Sequence, residues 1–576
     1  MCSLLLGDCT MAKFCDITSR NELADFLEIP RKVLTYVLYV KKVEYFYTSF
    51  EIPKKNGGTR TIKAPSGKLK SIQKKLASEL ERYQQDIWAS KRIKLNMSHG
   101  FQKNKSIITN ARIHRNKKYV LNIDLQDFFD SFHFGRVRGF FQKNRDFALP
   151  IEVATVLAQL TCYEGCLPQG APTSPIITNL VCQILDNRLL AIAKRYKLDY
   201  TRYADDLTFS TNDKTFVEHK DEFLHAIQKE IEHAGFKVNE NKTRLAYKDS
   251  QQKVTGLVVN EKVNVAQEYY RKTKSMAHSL YKTGKFTIDG EVGTLQQLEG
   301  RFSFINQLTW YNNKQDGKEH NFGTLAGRER EFKRFLFYKF FYGNDIPIIV
   351  TEGKTDVRYL KAALKALYKD YPDLIIKNKD GNFEFKITFF KRTKKLRYFL
   401  GIQVDGADAM QTIYKYFVGG KGRESRNYPN YFAYFQRMGV QPKEPAILLF
   451  DNETKSKRPL RKLLTEQKFT EEQVQQLEKK LYLKVFDKGN LYLLTNPLID
   501  GKKECEIEYL FSDETRGKLI DGKGLCLKDQ YDTEKNYGKE IFSQYIANHF
   551  EQIDFSGFRP LLSTLTSIVR QWRTRK

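Results

Sequence analysis

Three aspartates in the first half of the sequence have the arrangement expected of a site for nucleotidyl transfer. Asp205 and Asp206 lie in a turn between two segments rich in β-forming residues, and Asp124 follows the strand-like segment 119–123. A tight hairpin holds two carboxylates close together, where a divalent cation relieves their repulsion. Nucleotidyl transfer needs a third acid, because two Mg²⁺ ions bind the attacking 3′ oxygen and the leaving pyrophosphate. Aspartate also favours turns on its own account, but that explanation leaves Asp124 unexplained.

A loop rich in proline and glycine lies between these acids. Segment 167–175 reads Leu-Pro-Gln-Gly-Ala-Pro-Thr-Ser-Pro, and this composition predicts a rigid turn before a helix over 176–197. We interpret Gln169 and Gly170 as part of a surface against which a template and an incoming nucleotide pack.

A second set of acids lies in the second half. Glu352 follows the apolar segment 348–351, and Asp451 and Glu453 follow the apolar segment 446–450. In open α/β sheets, sites form at the carboxyl ends of the strands, so we expect these three acids to share Mg²⁺. A Glu-Gly pair after a strand is also an ordinary turn. A weaker rival pair is Asp405 and Asp408.

The sequence predicts a different kind of fold around each of these two sets of acids. Antiparallel strands with helices on one side predict an α+β fold for the first half, whereas a strand, a polar turn and a helix after 343–347 predict an α/β domain. The predicted strands are 119–123, 200–203, 207–210, 254–260, 348–351, 383–390, 446–450 and 481–486. The predicted helices are 176–197, 217–234, 266–282, 292–312, 328–342, 356–368, 539–550 and 561–572, and 452–480 is helical in pattern.

The composition indicates a polyanionic partner. The 97 Lys and Arg residues exceed the 68 Asp and Glu residues by 97 − 68 = 29 positive charges, and such a surplus favours nucleic acid. A hydrophobic content of 41% excludes a wholly disordered chain. No uninterrupted apolar run approaches a membrane span, and the first residues do not resemble a secretory signal. The eight cysteines form no CxxC pair, which predicts reduced thiols in a cytoplasmic protein and no zinc site. Met1 and Met11 are equally good starts.

The segment from about 40 to 330 resembles reverse transcriptases. Asp124 matches the first metal-binding aspartate of that family, and Asp205 and Asp206 match the acids of its Tyr-x-Asp-Asp box. The resemblance implies a right-hand fold of fingers, palm and thumb, with two Mg²⁺ ions at these acids and dNTPs as substrates. It also implies nucleotide contacts by Arg60, Lys63, Phe129, Gln169 and Gly170, with Phe129 excluding the ribose 2′-hydroxyl.

Two further motifs are similar to hallmarks of retron reverse transcriptases. Asn110 and His114 match an Asn-Ala-x-x-His segment, and Val254, Thr255 and Gly256 match a Val-Thr-Gly triplet after the catalytic box. The resemblance implies that these residues bind RNA. It further implies priming on the 2′-hydroxyl of an internal guanosine in the enzyme's own noncoding RNA, which gives the branched RNA–DNA product msDNA. Taken alone, a histidine in a basic segment is usually an ordinary surface or core residue.

The two strands that end in the second set of acids, with a Glu-Gly turn after the first and an acid-x-acid box after the second, resemble the Toprim fold of topoisomerases, primases and OLD-family nucleases. The family usually has Asp at position 453, where this chain has Glu, so the geometry of a metal bound there differs. Glu506 and Glu508 resemble an accessory acidic position of OLD-type nucleases. The resemblance implies a nuclease with one or two Mg²⁺ ions and a nucleic-acid substrate. A metal-free Toprim-like scaffold is the alternative.

The combined prediction is a right-hand polymerase of the α+β class followed by an α/β Toprim domain. Its parts are an N-terminal helical segment 1–40, fingers and palm 41–264, an RNA-binding thumb 265–345, and a nuclease-like domain with a helical tail 346–576. This fusion implies an anti-phage system of the toxin–antitoxin kind. We expect the chain to form homo-oligomers and to have no membrane partner. The rival functions are a mobile-element or diversity-generating reverse transcriptase and a non-catalytic nucleic-acid scaffold.

Overall fold

The chain folds as two compact units, Met1–Ala266 and Gln267–Lys576. The structure is a computed structural model that describes residues 13–54, 57–92, 97–318, 320–403, 408–453, 458–499, 501–528 and 530–574. The beginning of the predicted segment 1–40 therefore lies outside the described residues. Its described part packs Phe14, Leu23 and Leu34 into the core of the N-terminal unit.

The N-terminal unit has an α+β architecture. Its strands are β1 (Tyr47–Pro53), β2 (Thr59–Pro65), β3 (Tyr119–Gln126), β4 (Asp199–Tyr203), β5 (Asp206–Thr211), β6 (Lys237–Tyr247), β7 (Lys253–Val254) and β8 (Leu257–Val258). Its helices are α1 (Arg20–Phe26), α2 (Arg31–Thr35), α3 (Gly67–Ser90), α4 (Ile107–Ile113), α5 (Phe134–Lys143), α6 (Ile151–Thr161), α7 (Ser174–Arg195) and α8 (Lys220–His233).

A four-stranded antiparallel sheet in the order β4-β5-β3-β6 forms the centre of this unit. Helices α7 and α8 pack together and against strands of this sheet, and they contribute Leu180 and Phe223 to the core. The hairpin β1-β2 is a separate two-stranded sheet, followed by the amphipathic helix α3. The predicted strand 254–260 is instead the small hairpin β7-β8, because Thr255 and Gly256 have φ angles of 46° and 82° and reverse the chain.

One described helix, α7, has the length and composition needed to cross a membrane. In the structure, 61% of its apolar window is buried, and the helix packs against β4, α3 and α8. This burial is typical of a core helix.

The C-terminal unit has an α/β sheet at its centre. Its strands are β9 (Thr287–Ile288), β10 (Glu291–Val292), β11 (Ile348–Thr351), β12 (Ile375–Lys377), β13 (Phe383–Phe385), β14 (Thr388–Phe389), β15 (Ala446–Phe450), β16 (Tyr482–Lys484), β17 (Leu491–Thr495), β18 (Gly524–Leu525) and β19 (Asn536–Tyr537). Its helices are α9 (Gln267–Thr283), α10 (Leu295–Gln315), α11 (Gly327–Phe341), α12 (Lys354–Ala366), α13 (Lys394–Leu400), α14 (Asp408–Val418), α15 (Tyr431–Met438), α16 (Pro459–Glu466), α17 (Glu471–Lys480), α18 (Asp513–Arg516), α19 (Lys539–Asn548) and α20 (Arg559–Arg573).

The five-stranded sheet has the order β14-β11-β15-β17-β16, parallel except for β16. Strands β11, β15 and β17 are buried throughout, as parallel strands covered on both faces must be. Alternate residues of a strand point to opposite faces. Accordingly, Leu448 and Phe450 join one hydrophobic core, and Ile447 and Leu449 join another.

The helices of the predicted thumb, α9 to α11, share a core with the C-terminal half. Tyr281, Phe302 and Phe335 pack in the same cluster as Phe399 and Phe435. The units divide at residues 266 and 267, close to the predicted palm–thumb boundary at 264 and 265, whereas the predicted boundary at 345 falls inside the C-terminal unit. The aromatic side chains of α11 explain the difference, because they need a core larger than two neighbouring helices provide.

Candidate active sites

The register of the central sheet brings together the three predicted aspartates of the N-terminal unit. Asp124 on β3 lies directly opposite Asp206 on β5, and the Leu125 N–H donates to the Asp205 carbonyl at 3.0 Å. Between β4 and β5 the chain turns at Ala204, whose φ is 56°. Gly100 lies against this turn so closely that a Cβ there would come within 2.6 Å of the Ala204 nitrogen. The turn is thus held by the hydrogen bond from β3 and by close packing against Gly100.

The three carboxylates repel one another in a partly buried environment. Burial, followed by the charges of Asp205 and Asp124, raises the pKa of Asp206 to about 7. Burial also raises the pKa of Asp205. The Lys242 ammonium donates to both Asp124 oxygens at 2.9 and 3.1 Å, and Asn239, opposite Asp124 on β6, donates at 3.2 Å.

This donor set fits Mg²⁺. Carboxylate oxygens are the ligands that Mg²⁺ prefers, and the Lys242 ammonium already neutralises Asp124 as a cation would. Lys242 is 61% exposed, so it is free to move aside. With the side chains as they stand, no group of three or more His, Cys, Asp or Glu residues within the described ranges is positioned to hold a metal ion.

A cavity of about 730 Å³ opens beside the aspartates. Arg60 from the β1-β2 hairpin, Phe129 and Gln169 line it. The Gln169 carbonyl accepts from the Lys63 N–H at 2.8 Å, and a Cβ at Gly170 would lie 2.8 Å from the Lys63 carbonyl. The absence of a side chain at Gly170 therefore lets the loop pack on β2. The Lys63 side chain is paired with Glu164.

A buried ion pair next to the turn at Ala204 helps to hold it in place. Arg202 is completely buried and donates to both oxygens of Asp186 on α7 at 2.8 Å. It also donates to the Ala204 carbonyl at 3.2 Å. The sequence analysis missed this pair, as well as Lys242 and Asn239. The available signals were an arginine next to the Tyr-x-Asp-Asp box and an aspartate on an apolar helix.

The comparisons with known proteins agree with this geometry. A family model described as reverse transcriptase (RNA-dependent DNA polymerase) matches residues 52–259. The retron Ec86 reverse transcriptase of Escherichia coli is 35% identical over 294 residues, which cover 50% of this chain and 84% of that protein. The chain belongs to the retron reverse transcriptases.

A second relative, the retron Mx162 reverse transcriptase of Myxococcus xanthus, is 35% identical over 325 residues. That match covers 50% of this chain and 64% of the relative, so the chain spans less than two thirds of its length. Among solved structures, telomerase from Candida albicans with a fragment of telomeric RNA aligns at a TM-score of 0.29 and 11% identity, over 51% of this chain and 60% of that one. A likeness this weak carries no argument.

In this retron reverse transcriptase, the Asn-Ala-x-x-His segment is internal. Asn110 and His114, both predicted to bind RNA, are completely buried inside the N-terminal unit. The two ring nitrogens of His114 bond to Ser210 on β5 and Thr201 on β4, each at 2.7 Å. His114 therefore joins the two strands that carry the catalytic box.

The two retron motifs pack together. Helix α4, which carries Asn110, packs against β7, β8 and β4. The Thr255 hydroxyl contacts the Ile107 carbonyl at 3.5 Å, and Val254 is buried. Gly256 at the tip of the hairpin is exposed. Of the five residues expected to bind RNA, only Thr255 and Gly256 lie at the surface.

A structural role for His114 predicts acid sensitivity. Burial lowers the pKa of His114 to about 3, against about 6.5 in an unfolded chain. The unfolded state therefore binds more protons between these values, and stability falls as the pH falls. From pH 7.5 to 5.5, we expect His114 to account for a loss of about 1.4 kcal/mol. Hydrogen exchange of peptides from β4 and β5 should show this loss in the wild type and not in His114→Gln. Equal slopes in both proteins would contradict it.

The C-terminal unit also collects acids at the carboxyl edge of its parallel sheet. Glu352 follows β11, Asp451 follows β15, and Asn496 follows β17. The Asp451 N–H donates to Glu352 Oε1 at 3.1 Å, and Asn496 Nδ2 donates to Asp451 Oδ1 at 2.8 Å. Asp356, in the first turn of α12, accepts from the Gly353 N–H at 2.8 Å. The geometry brings the predicted Glu352 and Asp451 into direct contact.

Burial disfavours the ionised forms of these carboxylates. It raises the pKa of Glu352 to about 7, together with the charges of Asp356 and Glu453. It also raises the pKa of Asp451, together with the charge of Glu352. Such shifts are typical of acids that share a cation when the site is filled. The acids are therefore chemically suited to Mg²⁺.

Lys539 provides the positive charge next to this cluster. Its ammonium donates to Glu506 at 2.8 Å and to Glu508 at 3.1 Å. Glu453 is nearly buried, with Arg458 at 3.5 Å. The sequence analysis placed Asp356 near the start of a helix without assigning it to the site, and it did not find Asn496 or Lys539.

Of the rival pair, Asp408 alone lies among the described residues. Asp408 is 75% exposed and pairs with Lys462 at 3.5 Å. Asp405 lies outside the described residues.

Proposed function

We propose that the N-terminal unit copies the chain's own noncoding RNA into msDNA, the branched RNA–DNA product of retrons. The observation that carries this proposal is the pairing of Asp124 with Asp206 on neighbouring strands, beside the cavity lined by Arg60 and Gln169. Membership of the retron reverse transcriptases supports it. Priming on the 2′-hydroxyl of an internal guanosine is part of the proposal.

The residues around the cavity have separable roles in this reaction. Arg60 and Lys54 attract the triphosphate of a dNTP electrostatically. Phe129 lies five residues after Asp124 and lines the cavity, where it would exclude a ribose 2′-hydroxyl. Gln169 and Gly170 hold their loop against β2. This contact fixes the position of Arg60, on β2, relative to the loop that would face the template. Mg²⁺ held by the three aspartates would activate the attacking hydroxyl and neutralise the developing charge.

We further propose that the thumb helices α9, α10 and α11, which follow Thr255 and Gly256 in the sequence, bind a stem of this RNA. Arg301 stacks over Tyr269 at 4.1 Å, and Arg328 stacks over Tyr270 at 4.7 Å. Paired basic and aromatic side chains suit RNA, which is recognised through phosphates, 2′-hydroxyls and stacked bases.

The msDNA proposal is tested by a denaturing gel of the nucleic acid that copurifies with the chain expressed from its native locus. We expect one discrete species whose DNA portion is resistant to RNase and whose RNA portion is removed by it. The Asp205→Asn, Asp206→Asn double variant should lack this species. RNA alone, or a heterogeneous smear, would favour a mobile-element or diversity-generating reverse transcriptase instead.

For the C-terminal unit we propose a Mg²⁺-dependent nuclease of the Toprim type. Glu352 and Asp451 at the ends of adjacent parallel strands carry the proposal, with Glu453, Glu506 and Glu508 nearby. The metal-free scaffold is the alternative. Because one chain carries both sites, we propose that msDNA bound to the polymerase restrains the nuclease until a phage disturbs it, in the manner of a toxin–antitoxin pair.

A further inference from the structure

A cavity of about 300 Å³ in the C-terminal unit has strongly cationic walls. Lys333 and Arg330 of α11 line it, together with Arg426 from the turn Gly422–Arg426. Phe322 and Tyr431 add aromatic surface. Acidic residues are absent from the described lining. This cavity, called the basic cavity below, shares no lining residue with the Glu352 site.

Lys333 is buried without an acidic partner. Its side chain belongs to a residue that is 3% exposed, and its ammonium donates to the Asn427 carbonyl at 2.6 Å. The Phe322 ring lies 4.2 Å from the same nitrogen. An ammonium has three donors, and in the described part of the chain Lys333 has this single hydrogen-bond acceptor. Burial, assisted by the charge of Arg330, lowers the pKa of Lys333 to about 7. Buried charges are normally paired, and an anion in the basic cavity would stabilise the charged form of Lys333.

The acids closest in sequence are engaged elsewhere. Glu329, next to Arg330, accepts from the Ala326 N–H at 2.7 Å and contacts His320 at 2.8 Å. Glu424, two residues before Arg426, pairs with Lys415 at 2.9 Å. Among the described residues, neither arginine forms an ion pair. Both guanidinium groups are therefore available at the rim of the basic cavity.

We propose that the basic cavity binds a nucleoside phosphate, with the phosphate on Arg330, Arg426 and Lys333. Guanidinium groups match phosphate oxygens in pairs, and the volume is at the small end of ligand cavities. Phe322 and Tyr431 offer the apolar wall that a nucleobase packs against. The same chemistry is presented by a free nucleotide and by the phosphorylated 5′ end of a strand. This site goes beyond the two carboxylate sites and does not depend on either.

The test uses the full chain with two probes: adenosine 5′-monophosphate, and a twelve-residue oligothymidylate with a 5′-phosphate, compared with the same strand ending in a hydroxyl. Arg426→Gln is matched by Arg423→Gln, an exposed arginine on the same turn that does not line the cavity. We expect Arg426→Gln and Arg330→Gln to weaken phosphate-dependent binding at least tenfold, and Arg423→Gln to leave it unchanged. Lys333→Met should act in the same direction.

The two probes identify the source of the phosphate. Loss of nucleotide binding alone assigns the cavity to a free nucleotide, and loss of the 5′-phosphate preference alone assigns it to a strand end. Loss of both means that the cavity takes either one. The proposal is overturned if Arg426→Gln and Arg330→Gln bind both probes as the wild type does. An equal loss in Arg423→Gln would overturn it too, because the effect would then be general charge.

Discussion

Replacing Asp206 with asparagine is expected to lower the rate of dNTP incorporation on an RNA template by about a thousandfold or more. The carboxylate lies opposite Asp124 and beside Asp205, where burial and these two charges raise its pKa. Its removal takes away a ligand for the cation that activates the attacking hydroxyl, an effect of several kcal/mol on the barrier. The measurement is single-nucleotide extension of a primed RNA template by the purified full chain.

Asp199→Asn is the matched control for this change. Asp199 begins β4 at the far end of the same hairpin, is 49% exposed and pairs with Lys117. We expect it to change the incorporation rate less than twofold. A folded Asp206→Asn protein that keeps more than a tenth of the wild-type rate would show that the three aspartates are not the polymerase site.

The three aspartates could be predicted from the sequence because each lies in or next to a strand whose residues carry a local signal. Lys242 could not, because β6 is largely exposed and polar and lacks the alternation that identifies a strand. Its pairing with β3 also shifts register between Asn122 and Asp124, and this shift places Asn239 opposite Asp124. Such a shift depends on the partner strand and leaves no trace in the local pattern.

His114 shows the opposite problem. Its motif is visible in the sequence, but its burial is not, because the surrounding segment is basic and reads as surface. Only the packing of α4 on β4 places its ring between Thr201 and Ser210. A motif that is shared with a family is therefore no guide to whether its side chains touch the ligand or hold the site together.

The fold of the C-terminal unit was predictable in outline from two of its strands. Strand β17 was missed, although Leu491–Thr495 is an apolar run, because a run of five residues does not distinguish strand from helix. Because β17 was missed, Asn496, which follows it and donates a hydrogen bond to Asp451, was missed as well. Lys539 approaches from α19, and only tertiary structure brings it to Glu506 and Glu508.

Asp451→Asn is expected to abolish Mg²⁺- or Mn²⁺-dependent cleavage of nucleic acid by the C-terminal unit, a loss of about a thousandfold or more. Asp451 accepts from Asn496 and from the Ile507 N–H at 3.0 Å, while its own N–H donates to Glu352. In the proposed nuclease, this central position makes the charge of Asp451 decisive for cation binding. The substitution keeps the shape and the main-chain contacts, so the fold should persist.

The assay incubates the full chain carrying Asp205→Asn and Asp206→Asn with labelled single-stranded DNA, duplex DNA and RNA. The polymerase substitutions remove two of the three acids of the other carboxylate site, and the difference in Mn²⁺ binding between this parent and its Asp451→Asn form then reports on the C-terminal unit. Asp345→Asn is the matched control, because Asp345 is 74% exposed and precedes the amino end of β11, whereas Glu352 follows its carboxyl end. We expect Asp345→Asn to bind Mn²⁺ and cleave as its parent does.

The pattern of losses separates the two interpretations of this unit. A nuclease loses both Mn²⁺ binding and cleavage with Asp451→Asn, and in cells that make msDNA normally the same substitution removes resistance to phage in a plaque assay. A metal-free scaffold shows neither Mn²⁺ binding nor cleavage in the parent protein, and Asp451→Asn changes nothing. Because Glu352 and Asp451 are close and buried, with pKa values raised despite the nearby cations, binding of a divalent cation should lower these pKa values and stabilise the ionised pair.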